Sequence, residues 1–228
     1  MRWMALLLAV VLIAGCATAG GGKPAPAPAP GGGGTTPPVV QPKPPVEQPP
    51  AQAERPKTPA EVEKALGARA REAVGVLKAQ DMEKLAALAH PTLGIRFSQY
   101  GHVNLGKDVV LQASELKNAW VNKRLYQWGI ADGSGRPINL GFRDYYQKFV
   151  YDVDFAAAPK VGWNESIGKG NTIDNWREAY PDGVMVEFHY PQFDPKYQGM
   201  DWRSLRLVFE PKGNQWYLVG IIHAQWTI

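Results

Sequence analysis

Three segments near the C-terminus, Val184 to Tyr190, Ser204 to Glu210 and Gln215 to His223, alternate in side-chain character with a period of two, which restricts the chain to a sheet-centred fold. In the first, Val184, Val186, Phe188 and Tyr190 face one way while Met185, Glu187 and His189 face the other. Between the second and third, Pro211-Lys212-Gly213-Asn214 is rich in turn formers. A hairpin there is expected to set Phe209 beside Trp216 and Leu207 beside Leu218 on one apolar face, with Trp216 deep in the core. That register sends Arg206, Val208, Tyr217, Val219, Ile221 and His223 to the opposite face, a mixture too polar for a dry core without partners. A curved sheet half-lining a pocket fits the pattern. Its candidate pocket residues are Glu187, His189, Arg206, Tyr217 and His223, with Arg206 and His223 expected to matter more to a ligand than to folding.

Helices precede these strands. Thr58-Pro59-Ala60-Glu61 has Thr at the N-cap, Pro at the first helical position and Glu placed to reach back to the cap, and Val62, Leu66, Ala70, Ala73 and Leu77 then recur at helical spacing. Asp81 caps a second helix that stops by His90, because the residue before Pro91 is disfavoured in helical geometry. His90 at that C-terminus reads as a cap whose cationic form the helix dipole favours. Leu93 to Tyr100 and Val109 to Leu111 read as extended, with a short helix through Leu116. Arg124 to Ile130, with Tyr126, Trp128 and Ile130 on one side, pairs across Asp132-Gly133-Ser134-Gly135 with Pro137 to Leu140 as a hairpin. Phe142, Tyr145, Tyr146 and Phe149 mark a further helix with an aromatic stripe.

The N-terminus carries a different signal. Arg2, the apolar run Trp3 to Ile13 and the small-residue site Ile13-Ala14-Gly15-Cys16 predict a signal peptide over residues 1–15. The site resembles a bacterial lipobox, in which the cysteine receives a lipid with acyl chains such as palmitate and becomes the mature N-terminus. Cys16 is the single cysteine, so no internal disulfide is possible, and the apolar run is about half of the roughly 20 residues a membrane span needs. Residues 16–57 are Gly-, Pro- and Ala-rich and predict a disordered linker, leaving residues 58–228 as one globular domain. Of the 25 Lys and Arg, five (Arg2, Lys23, Lys43, Arg55 and Lys57) precede Thr58, against two of the 21 Asp and Glu (Glu47 and Glu54). The globular part is therefore almost neutral, which disfavours nucleic acid as a partner.

Cofactor and metal motifs are absent from the sequence. Asp152-Val153-Asp154 is the obvious metal candidate, but nothing nearby supplies a third fixed ligand. His90, His102, His189 and His223 show no zinc-site spacing, and no phosphate loop, dinucleotide fingerprint or nucleophile elbow occurs. Neither a metal nor a cofactor is expected.

Helix, helix, hairpin, helix and then long antiparallel strands is the element order of the NTF2-like (cystatin-like roll) fold, which residues 58–228 resemble. His90 to Ser98, Phe149 to Asp152, Met200 to Leu207 and Gly220 to His223 also resemble a group of uncharacterised lipoproteins of Gram-positive bacteria. The resemblance implies an α+β fold, with N-terminal helices packed on a curved antiparallel sheet in an NTF2-like cone. It also implies anchoring at the cell membrane, on its extracytoplasmic face. Two function classes follow. One is a non-catalytic binding or assembly module of the cell envelope, with a small molecule, glycan or protein as partner. The other is an acid/base enzyme, a hydrolase or isomerase, using Glu187 or His189 with Arg206, or His223. The competing reading of Glu187 and Arg206 is a cross-strand ion pair; binding is the favoured class.

Overall fold

A computed structural model describes residues 54–228; the expected signal peptide, Cys16 and the expected linker up to residue 53 lie outside the described residues. The helices are α1 (Pro59–Ala79), α2 (Met82–Leu88), α3 (Ala113–Ala119), α4 (Phe142–Phe149) and the single turn α5 (Trp176–Ala179). The strands are β1 (Ile95–Ser98), β2 (Val109–Leu111), β3 (Leu125–Ile130), β4 (Pro137–Gly141), β5 (Lys160–Trp163), β6 (Val184–Tyr190), β7 (Arg203–Lys212) and β8 (Gln215–Gln225). The class is α+β, built on a curved, mostly antiparallel six-stranded sheet in the order β2-β1-β8-β7-β6-β5, with β3 and β4 as a separate hairpin. One pairing departs from the all-antiparallel expectation: β1 runs parallel to β8, Phe97 opposite Ile221. The other neighbours in this sheet are antiparallel. No helix among the described residues is long and apolar enough to cross a membrane.

Local chemistry explains the helix starts. The Thr58 hydroxyl accepts from the Glu61 N–H while the Glu61 carboxylate accepts from the Thr58 N–H, a reciprocal capping box, and Val62, Leu66, Ala70, Ala73 and Leu77 are all fully buried. Folded contacts begin slightly earlier, because Arg55 donates to the carbonyls of Pro181 and Gly183. Asp81 caps α2 through the Lys84 N–H, as its position implies. His90 does not act as a cationic cap. Its Nδ1 accepts from the backbone N–H groups of Thr92 and Leu93, which requires a lone pair there, and burial together with the Lys212 charge pushes its pKa down.

The first sheet face is covered by helices α1 to α4 and by the β3–β4 hairpin. Trp128 is fully buried, stacks on Tyr145 at 3.6 Å between ring centroids and donates its indole N–H to the Leu140 carbonyl; Phe97 and Phe142 pack around the pair. Ile130, expected on the same side, is exposed, because the β3–β4 register shifts after Gln127 and Gly129 sits at φ +150°.

The β7–β8 hairpin differs from the expected register. Lys212 pairs with Gln215, so only Gly213 and Asn214 form the turn, and Phe209 lies beside Leu218 while Trp216 lies beside Pro211. Trp216 is consequently only half-buried at the core's edge. Further along, Leu218 opposes Phe209 but Gly220 opposes Val208, which leaves Val219 as an extra residue. That bulge reverses the phase of β8, as one inserted residue must. Ile221 and His223 therefore join Leu205 and Leu207 on the helix-covered face, and Ile222 joins Val208 and Met185 on the other. The second face is not open. Val103, Trp176 and Tyr180 pack over it.

Two tryptophans test this packing. Trp128→Ala is expected to cost about 3–5 kcal/mol in urea denaturation, as for a fully buried large aromatic, and Trp216→Ala clearly less. The reverse order would contradict the β7–β8 register.

Candidate functional site

Strands β6 and β7 bring Glu187 opposite Arg206 and His189 opposite Ser204 on the second face. Glu187 is fully buried and Arg206 is 2% exposed. The carboxylate is saturated: Oε2 accepts from Arg206 Nε at 2.9 Å and from the Ile167 N–H at 3.1 Å, while Oε1 accepts from the Gly168 N–H at 2.8 Å and from the Ser204 hydroxyl. Since Ser204 gives its proton to Glu187, its oxygen must accept from His189, 2.8 Å away. That places the proton on His189 Nδ1. Burial pushes the His189 pKa below its ordinary value, against the opposing pull of the Glu187 charge.

The loop after β5 is drawn down onto these groups. Arg206 Nη2 donates to the Gly168 carbonyl at 2.9 Å, so Gly168 both gives and receives. Any side chain there would collide, because a Cβ would lie 2.5 Å from the Trp202 ring and 2.6 Å from Ser204 Oγ. The remaining guanidinium nitrogen, Arg206 Nη1, lies 3.3 Å from Asp174 Oδ1 but makes no hydrogen bond. Arg206 is one wall of a cavity of about 270 Å³ whose other walls include Gly101, Ser166, Thr172, Asp174, Trp202 and Gln225. A second cavity of about 430 Å³ shares Thr172 as a wall and is lined by Gln99, Tyr100, His102, Asn104 and Asp108 among others.

Of the five residues read from the sequence, three come together: Glu187, His189 and Arg206. The ion-pair reading of Glu187 and Arg206 is the one realised, and it reverses the expectation that Arg206 serves a ligand more than folding. Deleting its guanidinium leaves a buried carboxylate unpaired, a loss of about 3–5 kcal/mol. His223 does not belong to this cluster. The Val219 bulge turns it to the helix-covered face, where its Nε2 lies 3.1 Å from Asp152 Oδ1 and its ring meets the edges of Phe149 and Phe155. Burial raises the Asp152 pKa, but the His223 hydrogen bond and charge, with Arg203, outweigh it and hold the carboxyl below its ordinary value. Tyr217 is also elsewhere, its hydroxyl donating to Gln215 and its ring against His90.

Sequence reasoning missed Ser204, Gly168, Asp174 and Gly101. Strand pairing alone placed Ser204 opposite His189, so that residue could have been found; the other three lie in loops that carry no periodic signal. Asp152 and Asp154, the weak metal pair, are engaged separately, Asp154 by Lys78 and Tyr151. Among the described residues no three metal-ligating side chains converge.

The lowered His189 and His90 pKa values fix a sign. Both imidazoles stay neutral in the folded state while the unfolded chain binds protons near the ordinary value of about 6.5, so stability falls as pH drops below roughly 6.5. Urea midpoints measured from pH 7.5 downward are expected to decline. His189→Asn, which keeps a donor toward Ser204, is expected to remove part of that decline; an unchanged slope would contradict the lowered His189 pKa.

No protein-family model, curated protein or solved structure matches this chain, so the reading of the site rests on its own geometry.

Proposed function

We propose that this chain is a lipid-anchored, extracytoplasmic binding module of the cell envelope, with an NTF2-like domain on a Pro/Gly/Ala-rich tether and a small-molecule site in the cavity over Arg206. One observation carries the site: a cavity of about 270 Å³ opens beside the buried Glu187–Arg206 pair, and Ser166, Thr172, Asp174 and Gln225 line it with polar side chains. Polar groups fixed around such a space suit a small polar ligand. The lipobox at Cys16 supports the anchor, and the helices ahead of a curved sheet support the NTF2-like reading.

Binding is favoured over acid/base catalysis by where the protons are. Glu187 has four donors around its two oxygens, His189 is tied to Ser204, and His223 lies on the opposite face against Asp152. None of the three offers a free lone pair or proton to the cavity over Arg206. A general base must reach the proton it takes.

Two measurements test this reading. Cys16→Ser is expected to move the protein from the membrane fraction to the soluble fraction or to leave it unprocessed; unchanged detergent partitioning would refute the anchor. In an NMR screen of small polar fragments against the full chain, hits are expected to shift the amides of Gly101, Thr172 and Ala224. Shifts confined to other surfaces, or no hits, would refute the cavity.

A further inference from the structure

We propose that the cavity of about 430 Å³ bounded by Thr172 and the β3–β4 turn is a second site, which binds a small primary organic amine through the carboxylate of Asp108. Among the described residues two carboxylates are buried, Glu187 and Asp108. Glu187 is paired with Arg206, whereas Asp108, 8% exposed, belongs to no ion pair among those residues. Its Oδ2 accepts from the Ser98 hydroxyl at 2.5 Å and from the Asn104 N–H at 2.9 Å. Oδ1 accepts nothing and, unlike the sealed Gln99 oxygen nearby, is not enclosed by protein, so it opens on the cavity. A carboxylate taken out of water with one oxygen unused and no counter-ion in contact is unfavourable. Burial accordingly pushes the Asp108 pKa up, against the pull of those two hydrogen bonds and of the Arg96 and His102 charges. An ammonium group answers both needs, because it brings a positive charge and three N–H donors.

The other ionisable side chains on these walls are Asp132, Lys107 and His102. Asp132 accepts from the Ile228 N–H through Oδ2 and has no bond at Oδ1, so two carboxylates stand against one lysine ammonium. Lys107 is exposed, and it is not among the charges that act on the Asp108 carboxyl, which leaves it solvated at the mouth. Arg96 is not a wall of the cavity. Its Nη1 donates to the backbone carbonyls of Leu105 and Asp108 and so holds the segment that carries the carboxylate. A metal ion is the less suitable cation, because no three ligating side chains converge among the described residues. An organic chain fits the rest of the space. Tyr100, Ile130 and Ala131 supply apolar surface, and the volume of about 430 Å³ lies within the ordinary range of small-ligand pockets.

The test is an NMR titration of the full chain with butylamine and benzylamine, against butanol, benzyl alcohol and butyrate as matched neutral and anionic probes. An amine is expected to bind at least about tenfold tighter than its alcohol, the magnitude of one charge-assisted hydrogen bond. It is expected to shift the amides of Asn104, Asp108 and Gly133, whereas Gly168 and Ala224 report on the cavity beside Arg206. Saturating amine is also expected to move the Asp108 carboxyl titration, followed by its 13C shift, to lower pH, which an amine bound at a distance would not do. Asp108→Asn keeps an acceptor for Ser98 and Asn104 and is expected to abolish the preference for amine over alcohol at an unchanged melting temperature. Should that variant melt early, Lys107→Gln at its exposed position decides: amine binding is expected to tighten about twofold or more, and no change would overturn the proposal. Alcohol binding as tightly as amine, butyrate binding tighter than butylamine, or no amide shift with either amine at millimolar concentration would overturn it too. So would amine binding that a folded Asp108→Asn variant leaves unchanged.

Discussion

A carboxylate and a guanidinium paired between the two central antiparallel strands, Glu187 on β6 and Arg206 on β7, govern the second half of this fold. Each charge taken out of water costs several kcal/mol, and their mutual attraction offsets this only when the remaining hydrogen-bond positions are also filled. The chain fills them with backbone. Ile167 and Gly168 must bring their N–H groups to the carboxylate and Gly168 its carbonyl to the guanidinium, so the loop after β5 has one place to lie. Only glycine permits that approach under Trp202 and Ser204. The cavity is the remainder: the loop reaches the sheet at Gly168, continues through Thr172 and Asp174, and sets the Asp174 carboxylate 3.3 Å from the third guanidinium nitrogen.

The extra residue at Val219 shapes the other side. Without it His223 would lie opposite Ser204 on the face of Arg206; with it His223 reaches Asp152, whose second oxygen accepts from Arg203. One inserted residue thus separates two polar clusters onto opposite faces of a sheet. Each is closed by its own layer, helices on one side and the segments around Val103, Trp176 and Tyr180 on the other.

Much of this was legible from periodicity. The capping box at Thr58, the stripe from Val62 to Leu77 and the aromatic stripe of α4 fall where their spacing puts them, because helical and extended repeats are local properties of the chain. The three C-terminal strands were equally clear. What failed was phase. A bulge leaves no periodic trace when its extra residue is another valine, so Ile221 and His223 were placed on the wrong face and Trp216 too deep. The charged trio Glu187, His189 and Arg206 followed from alternation alone, whereas the loop residues that complete it were invisible, since a glycine chosen for close approach looks like any loop glycine.

Function enters through the cavity that the pair and its loop leave beside Arg206. If Glu187 and Arg206 act as a unit that fixes the loop and so builds the cavity, their substitutions cannot be independent. The direct measurement is a double-mutant cycle by urea denaturation with Glu187→Gln, Arg206→Met and the two combined. Each single change is expected to cost about 3–5 kcal/mol and the double no more than either single, a coupling of about 3 kcal/mol or greater. Additive losses with coupling near zero would contradict the pair as the organising interaction of the site.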